Sequence, residues 1–335
     1  MDRYSRQILF SPIGQAGQDR LGRARAVIAG CGALGTVIAT GLVRAGIGHV
    51  RIIDRDLIEL HNLQRQILFD EDDVAARLPK AIAAQRHLAR VNSAIEIEGV
   101  VSDLNHTNAE ALLGDADVIL DGLDNFETRF LVNDVALKLG IPWVYGGAVS
   151  SHGSQMNILP GETACFRCLV GEVPPGGASA TCDTVGVIAP APMIVGALQI
   201  AEALKILTDR DAASREVAFF DVWDGTWTRT HVKPREDCPS CMGRYDFLEG
   251  DVALRASTLC GQGSVQVLPP RPQTLSLDEV ARRLVRVGEV EVDEYMLRFH
   301  NDECEFVLFP DARAIVMGTD DQAFARGIYA RYVGS

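Results

Sequence analysis

Val27-Ile28-Ala29-Gly30-Cys31-Gly32-Ala33-Leu34-Gly35 is a short apolar run that leads into three glycines at G-x-G-x-x-G spacing. The segment after it, 33–45, has the pattern of a helix, so the glycines stand at a strand-to-helix turn. That is the context a dinucleotide-type fingerprint requires. Glycines there let phosphate approach the backbone, and the N-terminus of the following helix adds partial positive charge. Asp54 ends the next apolar run, 24 residues after Gly30, where a carboxylate can accept hydrogen bonds from a ribose. NAD and ATP both fit these observations; the competing reading is tight helix–strand packing without a ligand.

Outward from this turn, residues 25–145 alternate between strand and helix. Apolar runs RAVIAG, HVRIID, AIEIEGVV, DVILDGL and PWVYGGAV are separated by helical patterns at 33–45, 79–91, 107–113 and 126–139. Continuous apolar strands alternating with helices predict a doubly wound, Rossmann-like, mainly parallel sheet covered on both faces. Residues 150–190, rich in Gly, Pro, Ser and Thr, read as irregular, and long irregular stretches of this kind are usually functional. A buried apolar helix is expected over 191–207, then antiparallel strands in EVAFFDVWDGTWTRTHVKP around the Asp224-Gly225 turn. Residues 244–275 read as a linker, and 276–335 as a small α+β domain with Ser276 as a helix N-cap.

Composition narrows the function. The 335 residues carry a formal net charge of −13 and 47% hydrophobic residues. That is a globular protein with no broad basic surface for nucleic acid or an anionic membrane. The start of the chain lacks an export signal pattern, and a cytoplasmic location is expected. Four of the eight cysteines form two CxxC pairs, Cys165/Cys168 and Cys238/Cys241, which in a reducing compartment suggests metal before disulfide.

Beyond Asp54, DRDLIELHNLQRQILF supplies Asn62, Arg65 and Gln66, and Lys80 follows at a helix start. A triphosphate needs such a cluster, and an NAD site has no evident use for it. DGLDNFETR places Asp121 and Asp124 at the end of the fourth strand. Ligands of doubly wound sheets bind at that edge, and a carboxylate there suits Mg²⁺. A helix cap by Asp124 or Asn125 is the structural alternative.

RYSRQI, GCGALG, IDRDLIELHNLQRQ, LPKA, DGLDN, CFRC, TCDTVGVIAP, QIAEALKIL and CPSC occur in the order found in the ThiF/MoeB/HesA family. Over residues 3 to about 243 the chain resembles these bacterial relatives of ubiquitin-activating enzymes. The resemblance implies an adenylyltransferase domain over 1–243. It would activate the C-terminal glycine of a ubiquitin-like sulfur carrier ending in Gly-Gly as an acyl-adenylate, releasing pyrophosphate. By motif, Gly30, Gly32 and Gly35 would form the phosphate loop of an ATP site. Asp54 would hold the ribose, Asn62, Arg65, Gln66 and Lys80 would surround the phosphates, and Asp124 with Asn125 would position Mg²⁺. Arg6 matches an arginine that reaches the partner subunit's nucleotide, which implies a homodimer.

Cys165, Cys168, Cys238 and Cys241 would form one structural Zn²⁺ site. Cys182 matches a cysteine that in some relatives is linked covalently to the carrier, and Cys260 is a second, weaker thiol. Sulfur would come from a separate donor such as a cysteine desulfurase, since 276–335 is too short for a rhodanese domain. Departures from the family pattern are Arg77 and Leu78 before the LPKA lysine, and Ala33 in place of a glycine. The other readings are adenylation of a peptide or other substrate such as a tRNA base, an NAD-dependent oxidoreductase, and an inactive adaptor.

Overall fold

The computed structural model describes residues 3–173, 182–250, 258–259, 263–269 and 273–334. It divides into two compact units, 1–252 and 253–335.

The first unit is built on an eight-stranded sheet. Its strands are β1 (Arg25–Ala29), β2 (His49–Asp54), β3 (Glu96–Val101), β4 (Val118–Asp121), β5 (Trp143–Val149), β6 (His152–Ile158), β7 (Val217–Asp221) and β8 (Thr226–Thr230). Their spatial order is β3-β2-β1-β4-β5-β6-β7-β8. β3, β2, β1, β4 and β5 are mutually parallel, and β6 to β8 extend the sheet in antiparallel fashion.

Strand residues alternate between faces. Ala26, Ile28, Val50, Ile52, Leu120 and Val144 pack under the helices Ala33–Ala45, Lys80–Val91 and Pro190–Thr208. Val27, Ala29, Ile119, Trp143 and Tyr145 point the other way, toward the helix Phe126–Leu139 and the cysteine pairs. The winding reverses between β1 and β4, so the crevice at their carboxyl ends is the switch point where ligands of this architecture bind. Pro190–Thr208 has the length and composition of a membrane span; here it packs on Ala33–Ala45, β5 and β6.

Two expectations from the sequence change. The stretch read as irregular from residue 150 opens with a full strand, β6, paired to both β5 and β7. Its Gln155 and Asn157 are buried, and they are satisfied by each other, by Glu202 and by the Ser214 carbonyl. Within the stretch read as a linker, some described residues belong to the two units. Phe247 and Leu248 belong to the core of the first unit, and Ser264–Val267 is a buried strand of the second.

That second unit is a six-stranded antiparallel sheet with strands in the order 289–292, 297–300, 305–308, 314–317, 264–267, 258–259. Its helices are Leu277–Leu284, capped by Ser276, and Gln322–Tyr332. Phe299, Phe306, Leu308 and Val316 form its core.

Candidate functional site

The three fingerprint glycines do different work. Gly30 has φ 91°, and a Cβ on it would lie 2.5 Å from the Gly122 carbonyl oxygen; one on Gly35 would lie 2.1 Å from the Gly30 oxygen. Both are therefore required by the protein's own packing. Gly32 has φ −83°, and a Cβ there would come no closer than 3.9 Å to Gln66 Nε2 and the Gly122 oxygen. Nothing among the described residues excludes a Cβ at Gly32. It caps Ala33–Ala45 without a side-chain acceptor, so the first N–H groups of that helix are available to an anion.

Beside this open turn the acidic residues are held firmly. Asp54 Oδ2 accepts from the Cys31 N–H at 2.6 Å, and Oδ1 accepts from the Asp56 N–H at 2.8 Å. Each oxygen keeps acceptor capacity for a hydroxyl. Burial pushes the Asp54 carboxyl above its usual range, with Lys80 opposing the shift.

Lys80 reaches the same place because the segment after β2 pairs with the one before Lys80–Val91. Leu57 bridges Pro79, and the Lys80 N–H bonds the Asp56 carbonyl at 2.9 Å. Its ammonium donates to Asp56 Oδ2 at 2.9 Å, and the residue is only 4% exposed. Burial works against that charge, yet Asp56 and Asp54 outweigh it and raise the Lys80 pKa, with Asp124 adding to the effect. Asp56 was missed by sequence reasoning; the DRD spacing was visible, but its partner lies 24 residues away. Arg77, near this turn, has φ 49°, in the region that favours glycine.

The loop after β4 is fixed from behind. The Arg129 guanidinium donates to Asp121 Oδ2 and to the carbonyls of Leu123 and Gly146. The Gln199 amide both accepts from the Asp121 N–H and donates to its carbonyl. Asp121 is thus a buried structural carboxylate. Asp124 stands exposed and contributes to raising the pKa of Lys80, Arg55 and Arg129. Asn125 caps Phe126–Leu139 through Thr128 N–H and turns its amide to Asp124.

The other expected residues are placed less directly. Gln66 is buried beside Gly32, and its Oε1 has no hydrogen-bond partner among the described residues. Asn62 is buried with its amide closing a local turn, Oδ1 accepting from the Glu59 N–H. Arg65 is half-buried and donates to the His61 carbonyl.

Arg6 is exposed and stands apart from the site of its own chain. The neighbouring Gln7 donates to the Ala45 carbonyl, at the far end of the helix that starts at Gly32, about 20 Å away along its axis. Cys182 begins the one-turn helix Cys182–Val185. Its side chain lies outside the described residues, as does Cys260.

The two CxxC pairs do converge. Sγ–Sγ distances are 3.7 Å for Cys165–Cys168, 3.6 Å for Cys165–Cys238, and 3.5 Å for both Cys168–Cys241 and Cys165–Cys241. The four sulfurs form a compact group able to hold a metal ion.

Comparison with known proteins fits this geometry. The ThiF family matches residues 4–240. The chain belongs to the ThiF family. Among its ThiF relatives, the sulfur carrier protein ThiS adenylyltransferase of Bacillus subtilis is 44% identical over 99% of both chains. The SAMP-activating enzyme E1 of Haloferax volcanii is 36% identical over 74% of this chain and 92% of its own. Among solved structures, E. coli MccB with ATP superposes with a TM-score of 0.62 at 25% identity, covering 72% of this chain and 75% of that one. The ThiF fold and the open turn at Gly32 thus occur together.

Proposed function

We propose that this protein is an ATP-dependent adenylyltransferase that activates the C-terminal glycine of a ubiquitin-like sulfur carrier. A glycine carboxylate oxygen attacks the α-phosphorus, the bond to the β-phosphate oxygen breaks, and pyrophosphate leaves with its charge. The observation that carries the nucleotide assignment is Gly32, whose missing side chain is explained by a ligand and not by packing. The carrier as substrate is supported by the 44% identity to the ThiS adenylyltransferase, which spans the C-terminal unit as well.

Chemically, the step brings two anions together. Helix N–H groups after Gly32 would hold phosphate oxygens, Asp54 and Asp56 the ribose hydroxyls, and Lys80 and Arg65 the developing phosphoryl charge. Lys80 is already desolvated and anchored by Asp56, so little reorganisation is required. Asp124, an exposed carboxylate at the switch point, fits Mg²⁺, which when bound would neutralise phosphate charge. Asn125 would orient Asp124 rather than bind the ion, because its oxygen is committed to the cap.

Arg6, remote from its own glycine turn, fits a homodimer in which each Arg6 serves the partner's nucleotide. Four thiolates around Zn²⁺ with bonds of about 2.3 Å have S···S edges of about 3.8 Å, close to the 3.5–3.7 Å seen here; a closed four-sulfur site is structural. Cys182 would be the thiol whose thiolate attacks the acyl-adenylate, breaking the acyl–phosphate bond, releasing AMP and holding the carrier as a thioester, and a cytoplasmic setting with a separate sulfur donor completes the reading. Mass spectrometry of a carrier incubated with enzyme, ATP and Mg²⁺ tests it: an adenylate adduct on the C-terminal glycine is expected. An unmodified carrier alongside an adenylated free peptide would favour the peptide reading.

A further inference from the structure

We propose that Asn133 and Asp134 are positioning residues for the four-cysteine site, two consecutive side chains of one helix that preset both CxxC segments for a metal ion. The inference rests on the zinc reading of that cluster.

Both side chains are fully buried. Asn133 Oδ1 accepts from the Phe166 N–H at 2.9 Å, in the residue directly after Cys165. Asp134 Oδ1 accepts from the Ser240 hydroxyl at 2.8 Å, between Cys238 and Cys241, and its Oδ2 accepts from the Phe247 N–H at 3.0 Å. The two cysteine pairs are 73 residues apart in the chain, so nothing local sets their separation. Successive helical residues point about 100° apart, which lets neighbours on one rigid backbone address two different segments.

Packing fixes the same geometry. The Phe130 ring, one turn earlier on the helix, lies 5.2 Å from that of Phe166 and 4.9 Å from that of Phe247. Without the two acceptors, three buried donors would go unpaired, and each knuckle could relax independently. Partners outside the ligand set commonly govern how tightly a metal is held, and their loss typically costs roughly 10- to 100-fold in affinity.

The test measures zinc content of the full-length protein and the rate of zinc transfer to a chromogenic chelator. Variants are Asn133→Leu and Asp134→Leu, which remove the acceptors, and Asp134→Asn, which keeps one carbonyl. Ser240→Ala deletes a single donor and leaves the helix untouched, so it stays informative if the leucine variants do not fold. Wild type is expected to carry stoichiometric zinc. Asn133→Leu and Asp134→Leu should release it roughly 10- to 100-fold faster, with Asp134→Asn and Ser240→Ala in between. Folded variants that release zinc at the wild-type rate overturn the inference alone; a wild type devoid of zinc overturns the metal reading and the inference with it.

Discussion

The switch-point crevice and the four-cysteine corner lie within the same unit, and both gather residues from distant parts of the sequence. They differ in what they leave unused. At the corner, each sulfur has sulfur neighbours at 3.5–3.7 Å, and Asn133 and Asp134 satisfy the surrounding main chain and hydroxyl. At the crevice, Gly32 has room beside it, Gln66 Oε1 is buried without a partner among the described residues, and Asp124 faces solvent. The corner turns its sulfurs toward one another, although Asn133 Nδ2 is buried there without a hydrogen-bond partner among the described residues, whereas the crevice leaves Gly32 and Asp124 open to a ligand.

Substitution at the crevice should therefore affect catalysis more than stability, and the corner should behave in the opposite way. The largest effect is expected for Asp124→Ala: carrier-dependent pyrophosphate exchange falls by roughly 10²–10³-fold, while the melting temperature stays close to wild type, as for other exposed positions. Lys80→Ala is the exception among crevice residues, because it leaves the buried Asp54 and the half-buried Asp56 without their cation, and chemical denaturation should show a loss near the lower end of about 3–5 kcal/mol.

The glycine turn divides the comparison within a few residues. Gly30→Ala forces a Cβ against the Gly122 carbonyl in a left-handed backbone, so the melting curve should drop markedly. Gly32→Ala should melt like wild type but bind ATP several-fold more weakly in calorimetry. Equal losses of stability in the two variants would mean that packing explains both glycines. The smallest effect concerns the C-terminal unit: removal of residues 253–335 should leave the nucleotide affinity of the remaining unit unchanged, because every crevice residue named here precedes it.

The sequence made the parallel half of the sheet legible because its central strands β1 and β4 are apolar on both faces and its helices are periodic. β6 escaped notice because Gln155 and Asn157 are buried by pairing with Glu202 and the Ser214 carbonyl, a solution hydropathy cannot register. Ser264–Val267 was hidden in the same way, with Ser264 and Gln266 buried within the strand. At the site, motifs pointed to Asp54, Lys80 and Asp124, whereas Asp56, Arg129 and Gln199 became visible only once the fold had brought their partners alongside. Asn133 and Asp134 touch main chain and a hydroxyl instead of metal, so no ligand-spacing rule points to them.

The central claim, that the Gly32 crevice holds ATP for transfer of AMP to a carrier, is tested most directly by ATP–pyrophosphate exchange. Purified protein would be assayed with a panel of ubiquitin-like carriers ending in Gly-Gly, with Asp124→Ala alongside. Exchange that depends on one of these carriers and is lost in Asp124→Ala is the predicted result. Zinc-loaded, ATP-binding protein that supports no exchange with any carrier would contradict it.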